Sequence, residues 1–150
     1  MANLVKIEKY LNKKKIPYKV IDLGAEIFTV RGVTQAGVEE DDIVKTLVIR
    51  SNNGFVALAI RGKDRIDFKK VRNLFGNKSE LAKPEEVPKA VGVPVGAVCP
   101  VAIEIPLYFD QHVMDLKHVN MGSGDLTRGL EMELADLLSV CKYKVEDLTN

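Results

Sequence analysis

Two apolar runs, Ile43-Val44-Lys45-Thr46-Leu47-Val48-Ile49 and Phe55-Val56-Ala57-Leu58-Ala59-Ile60, flank the polar tetrad Ser51-Asn52-Asn53-Gly54. Polar turn residues ending in glycine between two β-prone runs specify a hairpin. A strand apolar on both faces is covered on both sides, so this hairpin belongs at the centre of the fold. Lys45 interrupts the first run. On the period-two pleat it shares a face with Ile43, Leu47 and Ile49, which directs its ammonium into a covered layer or a cleft. Burying an unpaired ammonium costs roughly several kcal/mol. Two readings follow: an anionic or carbonyl-bearing ligand meets the charge, or the side chain snorkels to water along its own stem.

The rest of the chain bounds the class. Its 150 residues suit one domain with a core that needs no staples. No apolar stretch approaches the length that spans a bilayer, and Met1 to Lys6 lacks the apolar centre of a secretion signal. Cys99 and Cys141 are the only cysteines, so a disulfide framework is not expected and a cytoplasmic location is. The net charge of +1 hides an uneven distribution. Residues 6–19 carry six lysines against Glu8, and residues 61–72 carry six basic groups against Asp64 and Asp67. Such blocks are either solvated faces or local contacts to a polyanion.

Periodicity predicts a first helix over residues 2–15, closed by Pro17, then a short strand from Tyr18 to Ile21. Thr29 is placed to cap a helix ending at Gly37. Asp67 opens another, with Phe68, Val71, Leu74 and Phe75 on one face and Gly76 at its end. A helix over 84–91 takes Pro84 in its first turn and Val87 and Val91 inward. Residues 92–106 read as a loop with a buried lining. Strands follow at Leu107–Phe109, Lys117–Met121 and Gly129–Glu133, then a helix from Leu134 to Val140. The sum is a single α+β domain.

Two glycine clusters, Gly92-Val93-Pro94-Val95-Gly96-Ala97-Val98-Cys99-Pro100 and Gly122-Ser123-Gly124, let a backbone approach a ligand and turn its N–H groups inward. The apolar residues of the first suit a pocket for a short side chain. Standard catalytic sets are missing. His112 and His118 lack zinc spacing, His118 reads as a strand-surface residue, and no metal or cofactor is expected. Cys99 reads as an inert core thiol. No nucleophile elbow, phosphate loop or dinucleotide fingerprint occurs. Ser123 is either a hydrogen-bond donor to a ligand or a plain turn serine. Glu131 projects either toward the lysine's cleft or from an exposed strand face shared with Glu133.

The run Ile43 to Leu47, the segment 92–100, Asp110, Gly122-Ser123-Gly124 and Gly129-Leu130-Glu131-Met132-Glu133-Leu134 together resemble the YbaK/EbsC group, stand-alone relatives of the editing domain inserted in bacterial prolyl-tRNA synthetases. The resemblance runs in order over nearly the whole chain. It implies a mixed, strongly curved and partly barrel-like sheet flanked by helices. It also implies an aminoacyl-tRNA deacylase acting in trans on the acceptor end of mischarged tRNA, with a synthetase as a possible partner and no membrane. By position, Lys45 matches the family's essential lysine, followed by Thr46. Gly96, Ala97, Val98 and Pro100 fall in its substrate loop, and Gly122, Ser123 and Gly124 in its second glycine segment. Glu131 stands where some relatives carry aspartate. No residue clearly matches the late histidine of the synthetase-borne domains.

An aminoacyl ester is already activated, so positioning and oxyanion stabilisation suffice without a protein nucleophile. Lys45 would anchor the terminal adenosine or polarise the ester, and backbone N–H groups near Gly96 to Val98 would hold the carbonyl oxygen. A small acyl group, alanine or cysteine, on proline tRNA is the expected substrate. The alternatives are a tRNA- or nucleotide-binding module without hydrolysis, and a lysine enzyme forming a Schiff base.

Overall fold

A computed structural model of the chain describes residues 3–150. The first helix, α1 (Leu4–Lys13), starts where the Asn3 side chain accepts a hydrogen bond from the Lys6 N–H, 3.1 Å away. Residue 2, the expected start, lies outside the described residues. Ten residues make a marginal helix on their own. Ile7 and Leu11, both fully buried, contribute about 1.5–3 kcal/mol each and hold it down.

The chain continues through β1 (Lys19–Asp22), α2 (Val30–Gln35), β2 (Val44–Ser51), β3 (Gly54–Arg61), α3 (Phe68–Phe75) and β4 (Glu80–Leu81). Then come α4 (Val87–Val91), β5 (Leu107–Asp110), β6 (His118–Gly122), β7 (Arg128–Glu133), α5 (Leu134–Val140) and β8 (Lys144–Glu146), with 3₁₀ turns at Glu40–Asp42 and Gln111–Asp115. The predicted hairpin stands: β2 and β3 pair antiparallel from Val44↔Arg61 to Ser51↔Gly54. The strands form a five-stranded sheet, β4-β2-β3-β5-β8, and a three-stranded one, β1-β7-β6. β5 runs parallel to both β3 and β8, and the other pairings are antiparallel. Among the described residues, the parallel bridge Ile43↔Asn120 links the sheets. The α+β class is as predicted, but the sheet does not close, so the barrel-like element of the expectation falls away.

The main core fills the space between the sheets: Val44, Ala57, Ala59, Phe109, Val119, Met121, Leu130 and Met132 meet Ile7, Leu11 and Leu137 from the helices. On the other face of the larger sheet Ile49, Val56 and Leu58 pack with Val71 and Leu148. A third cluster joins Val48 to Val87, Val91, Val93, Ala97 and Val98 beneath the first glycine segment.

Several local expectations shift. Leu74, placed on the buried face of α3, is 44 % exposed, because the eight-residue helix lies on the sheet chiefly through Val71, Phe68 and Phe75. The helix expected over 84–91 begins only at Val87, with Pro88 in its first turn instead of Pro84. β4 and β8 were not anticipated; at two and three residues they are too short to carry a periodic signal.

Candidate active site

The site is built from an interruption in strand pairing. β4 pairs with β2 only at Ile49↔Leu81 and Arg50↔Glu80, plus one hydrogen bond from Ala82 N–H to the Val48 carbonyl at 2.9 Å. Upstream of Val48 that edge of β2 is open as far as the Ile43↔Asn120 bridge. A cavity of about 470 Å³ occupies the gap. Its walls come from β2, the segment 27–33, Leu81 to Val87, Gly96 and Val98, and the facing strands at Asn120 to Gly122 and Arg128 to Gly129. That volume lies within the range of small-molecule sites, and the lining is mostly aliphatic, as such sites are.

Lys45 lies in this lining, on the opposite face of β2 from Val44, Thr46 and Val48. It is half-buried, and no described side chain pairs with its ammonium. Burial pulls its pKa below the ordinary lysine value; Asp64 opposes that shift and Arg65 adds to it. A cation destabilised by burial and lacking a contact partner is of the kind that clusters at ligand sites. Arg31 and Arg128 are the other basic residues of the wall, and Asp125 is its one carboxylate among the described residues. Asp125 is held ionised by Thr127, whose N–H and hydroxyl both donate to it, at 2.8 and 2.7 Å.

The two glycine clusters do meet, one supporting the other. Gly124 N–H donates to the Ala97 carbonyl at 2.7 Å. A Cβ on Gly122 would sit 2.4 Å from the Val98 oxygen, so only glycine permits this approach of backbone to backbone. Gly96, at φ +90°, packs on the Phe28 backbone, where a Cβ would come within 2.9 Å of Cα. The first loop is thus fixed on one side by Gly122 and Gly124 and on the other by Phe28.

Of the sequence-predicted residues, Lys45, Thr46, Gly96, Val98 and Gly122 line the cavity. Ala97 does not; it is fully buried and its N–H is committed to the Pro94 carbonyl at 3.1 Å. Pro100 lies buried, its carbonyl facing the Cys141 thiol. Ser123, also fully buried, donates to the Arg128 carbonyl at 2.7 Å and holds its own turn. Gly124 serves the loop contact just described. Glu131 lies outside the wall and pairs with His118, Oε1 to Nε2 at 2.8 Å. That contact raises the histidine's pKa, with Glu133 assisting and burial opposing.

Asn120, Phe28, Arg31, Asp125 and Arg128 were not anticipated. Asn120 did leave a trace in the sequence, as a lone amide between Val119 and Met121 in an apolar strand. It is buried, with Nδ2 unpartnered, as is the hydroxyl of Thr46.

No Ser, Cys, His or Glu belongs to the described lining. Cys99 is fully buried and its pKa is pushed well up by desolvation. Outside the cavity, Asp64, Asp110 and His112 bring ligand atoms within 4.8 Å of one another. All three are engaged in hydrogen bonds within the protein. Asp110 accepts from Leu148 N–H at 2.8 Å and contacts His112 and Thr149, and Asp64 accepts from Arg61 at 2.6 Å.

A half-buried cation and close-approaching backbone surround an apolar cavity whose described lining holds no Ser, Cys or His, a class of site suited to a small ligand with an anionic or carbonyl group. Residues 26–140 match the aminoacyl-tRNA editing domain family, and the chain belongs to that family. It is 36 % identical over 87 residues to the proline–tRNA ligase of Caldicellulosiruptor saccharolyticus, covering 57 % of this chain and 15 % of that enzyme. With the ligase of Maridesulfovibrio salexigens the identity is 40 % over 77 residues, covering 51 % and 13 %. The chain therefore spans only about one-seventh of the length of these relatives. Among solved structures it resembles a protein described only as hypothetical, with a TM-score of 0.85, 30 % identity and 97 % and 99 % of the two chains covered. It also resembles a proposed trans-editing enzyme for prolyl-tRNA synthetase, with a TM-score of 0.84, 28 % identity and coverage of 98 % and 96 %. No helix among the described residues is long and apolar enough to cross a membrane.

Proposed function

We propose that this protein hydrolyses the ester of a small mischarged amino acid, alanine or cysteine, on proline tRNA, acting in trans on the acceptor end. The observation that carries the reading is the unpaired, half-buried ammonium of Lys45 at an apolar cavity walled by Gly96, Val98 and Gly122, in a chain of the editing family. Water adds to the ester carbonyl carbon, the bond to the ribose oxygen breaks, and that oxygen takes up a proton. The products are the free amino acid and tRNA with its terminal hydroxyl restored. Lys45 holds the terminal nucleotide through its phosphate or ribose oxygens, or polarises the ester. Backbone N–H groups of the 96–98 loop other than that of Ala97 face the developing oxyanion. With no His or Glu in the described wall and its one carboxylate, Asp125, bound by Thr127, a ribose hydroxyl of the substrate assists the water. Small apolar differences discriminate only ~10- to 200-fold, so related esters are cleaved as well.

The same lack of a base favours the second reading, a module of this fold that binds the tRNA end without hydrolysing it. Release of labelled alanine, cysteine and serine from proline tRNA and from a second tRNA tests both. Preferred release from proline tRNA supports the deacylase. Saturable binding without release on any tRNA replaces it with the binding module.

A further inference from the structure

The open edge of β2, between the Ile43↔Asn120 bridge and the Ala82 contact at Val48, has Thr46 near its centre, and its chemistry is set by the backbone. The Ile43 carbonyl accepts from Gly62 N–H at 2.7 Å, on the β3 side, whereas the Val48 carbonyl accepts from Ala82 N–H on the β4 side. Strand alternation therefore turns the N–H and C=O of Thr46 toward the β4 side also, into the cavity. The β2–β4 register, Ile49↔Leu81 and Arg50↔Glu80, puts Pro84 opposite Thr46 two residues further on. Proline has no N–H to give, so pairing stops at Ala82. Thr46 is only 9 % exposed, its hydroxyl has no partner, and no described group bonds its outward N–H or C=O. Buried backbone groups are nearly always paired. Here the missing partner is a donor and an acceptor with the spacing of one residue.

An aminoacyl ester carries that unit, since its α-nitrogen, α-carbon and carbonyl are those of a residue. Resting on the deacylase reading, we infer that the aminoacyl group docks on β2 as a single antiparallel residue, taking the place Pro84 cannot fill. Its α-ammonium donates to the Thr46 carbonyl, and its ester oxygen accepts from the Thr46 N–H, which adds a strand-side donor to those of the 96–98 loop. Directly opposed residues of an antiparallel pair share a face, so the side chain of an L-amino acid lies on the Thr46 and Val48 face. There Val48 packs with Ala82, Val87, Ala97 and Val98. A D-amino acid held by the same bonds would turn its side chain to the Lys45 face. The ligand read at Thr46 is thus a free α-amino acid ester of L configuration with a short side chain.

The test compares L-alanyl with propionyl esters of proline tRNA, each rate divided by its own hydroxide-catalysed rate. Propionyl keeps the size and lacks only the amine. A site that bonds a polar group rejects the analogue lacking it, and a fall on the order of 100-fold or more is expected. Thr46→Val, which keeps the backbone edge, should preserve the preference. Thr46→Pro, which removes an N–H that β3 does not use, should slow both esters by on the order of 100-fold. Equal normalised rates for the two esters in the unaltered protein overturn the docking and leave the deacylase reading standing. Calorimetry with 3′-alanylamino- and 3′-propionylamino-3′-deoxyadenosine reads the docking without hydrolysis and without any variant. At least tenfold tighter binding of the alanyl compound supports the inference, even if no ester is cleaved; equal affinity, or no binding of either, overturns it.

Discussion

Replacing Lys45 by methionine separates the charge from the stem that carries it. Met keeps an unbranched chain on the Lys45 face of β2, opposite Ile60, so packing is largely retained. Nothing described pairs with the ammonium, so its removal strands no buried partner, unlike removal of Arg61, which would leave Asp64 unpaired. In the fold, burial disfavours the charged amine. The unfolded chain therefore binds more protons between the lowered folded pKa and the ordinary value of ~10.4, and stability rises with pH through that window. The variant should lose this rise and be at least as stable at neutral pH, by thermal unfolding. Activity should move the other way. Loss of one electrostatic contact in a water-poor site costs a factor on the order of 10²–10³, about 2.7–4 kcal/mol of transition-state stabilisation. Because the charged form does the work, binding of a non-hydrolysable analogue to the unaltered protein should weaken as pH rises through a value below that of free lysine. Single-turnover deacylation within a few-fold of the unaltered protein, by a folded variant, would refute the electrostatic role. A borohydride-trapped adduct on Lys45 would reassign it to Schiff-base chemistry.

Gly122→Ala forces a methyl group within 2.4 Å of the Val98 oxygen, and Gly96→Ala adds left-handed strain of about 1–3 kcal/mol to a clash with Phe28. Both should depress hydrolysis of every small acyl ester together, measured as kcat/KM across alanyl, cysteinyl and seryl tRNA. Lys69→Glu and Lys70→Glu should differ in kind. Lys70 holds Asp147 at 2.9 Å and the Thr149 carbonyl at 2.7 Å, so its reversal lowers Tm, whereas reversal at Lys69 lowers tRNA affinity alone, measured by filter binding. For His118→Ala the sign follows from a raised folded pKa. Its destabilisation should be fully present below the unfolded value of ~6.5 and fade as pH rises through the folded one, read as the Tm difference roughly between pH 5.5 and 9.

The hairpin, the helix caps at Thr29 and Asp67 and the C-terminal helix were legible because each rests on local chemistry: a turn, a capping oxygen, a 3.6-residue period. Lys45 was legible for a similar reason, as a charge breaking an apolar alternation. What stayed hidden depends on pairs distant in sequence. Glu131 was readable as a strand carboxylate, but its partner His118 is fixed only by the β6–β7 register, His118↔Glu133 and Asn120↔Glu131. Ser123 and Gly124 were recognised as a turn, yet their use as a platform for the 96–98 loop needs the two segments to meet. Asn120 and Phe28 escaped notice because neither belongs to a motif; one lies in a plain strand and the other ahead of a short helix.

Pro84 illustrates how a local rule acquires a distant effect. In sequence it reads as a helix-start residue, and as a helix predictor it misleads, since α4 begins three residues later. Its missing N–H matters instead to a strand nearly forty residues earlier. An open sheet edge is ordinarily a liability, because it invites pairing with another chain. Here Ala82 closes one side of the opening and the Ile43↔Asn120 bridge the other, so the open stretch is short and bounded at both ends. The same geometry that protects the edge from aggregation restricts what can complete it, and a residue docked there would extend its side chain into a space lined by Gly96, Val98 and Gly122.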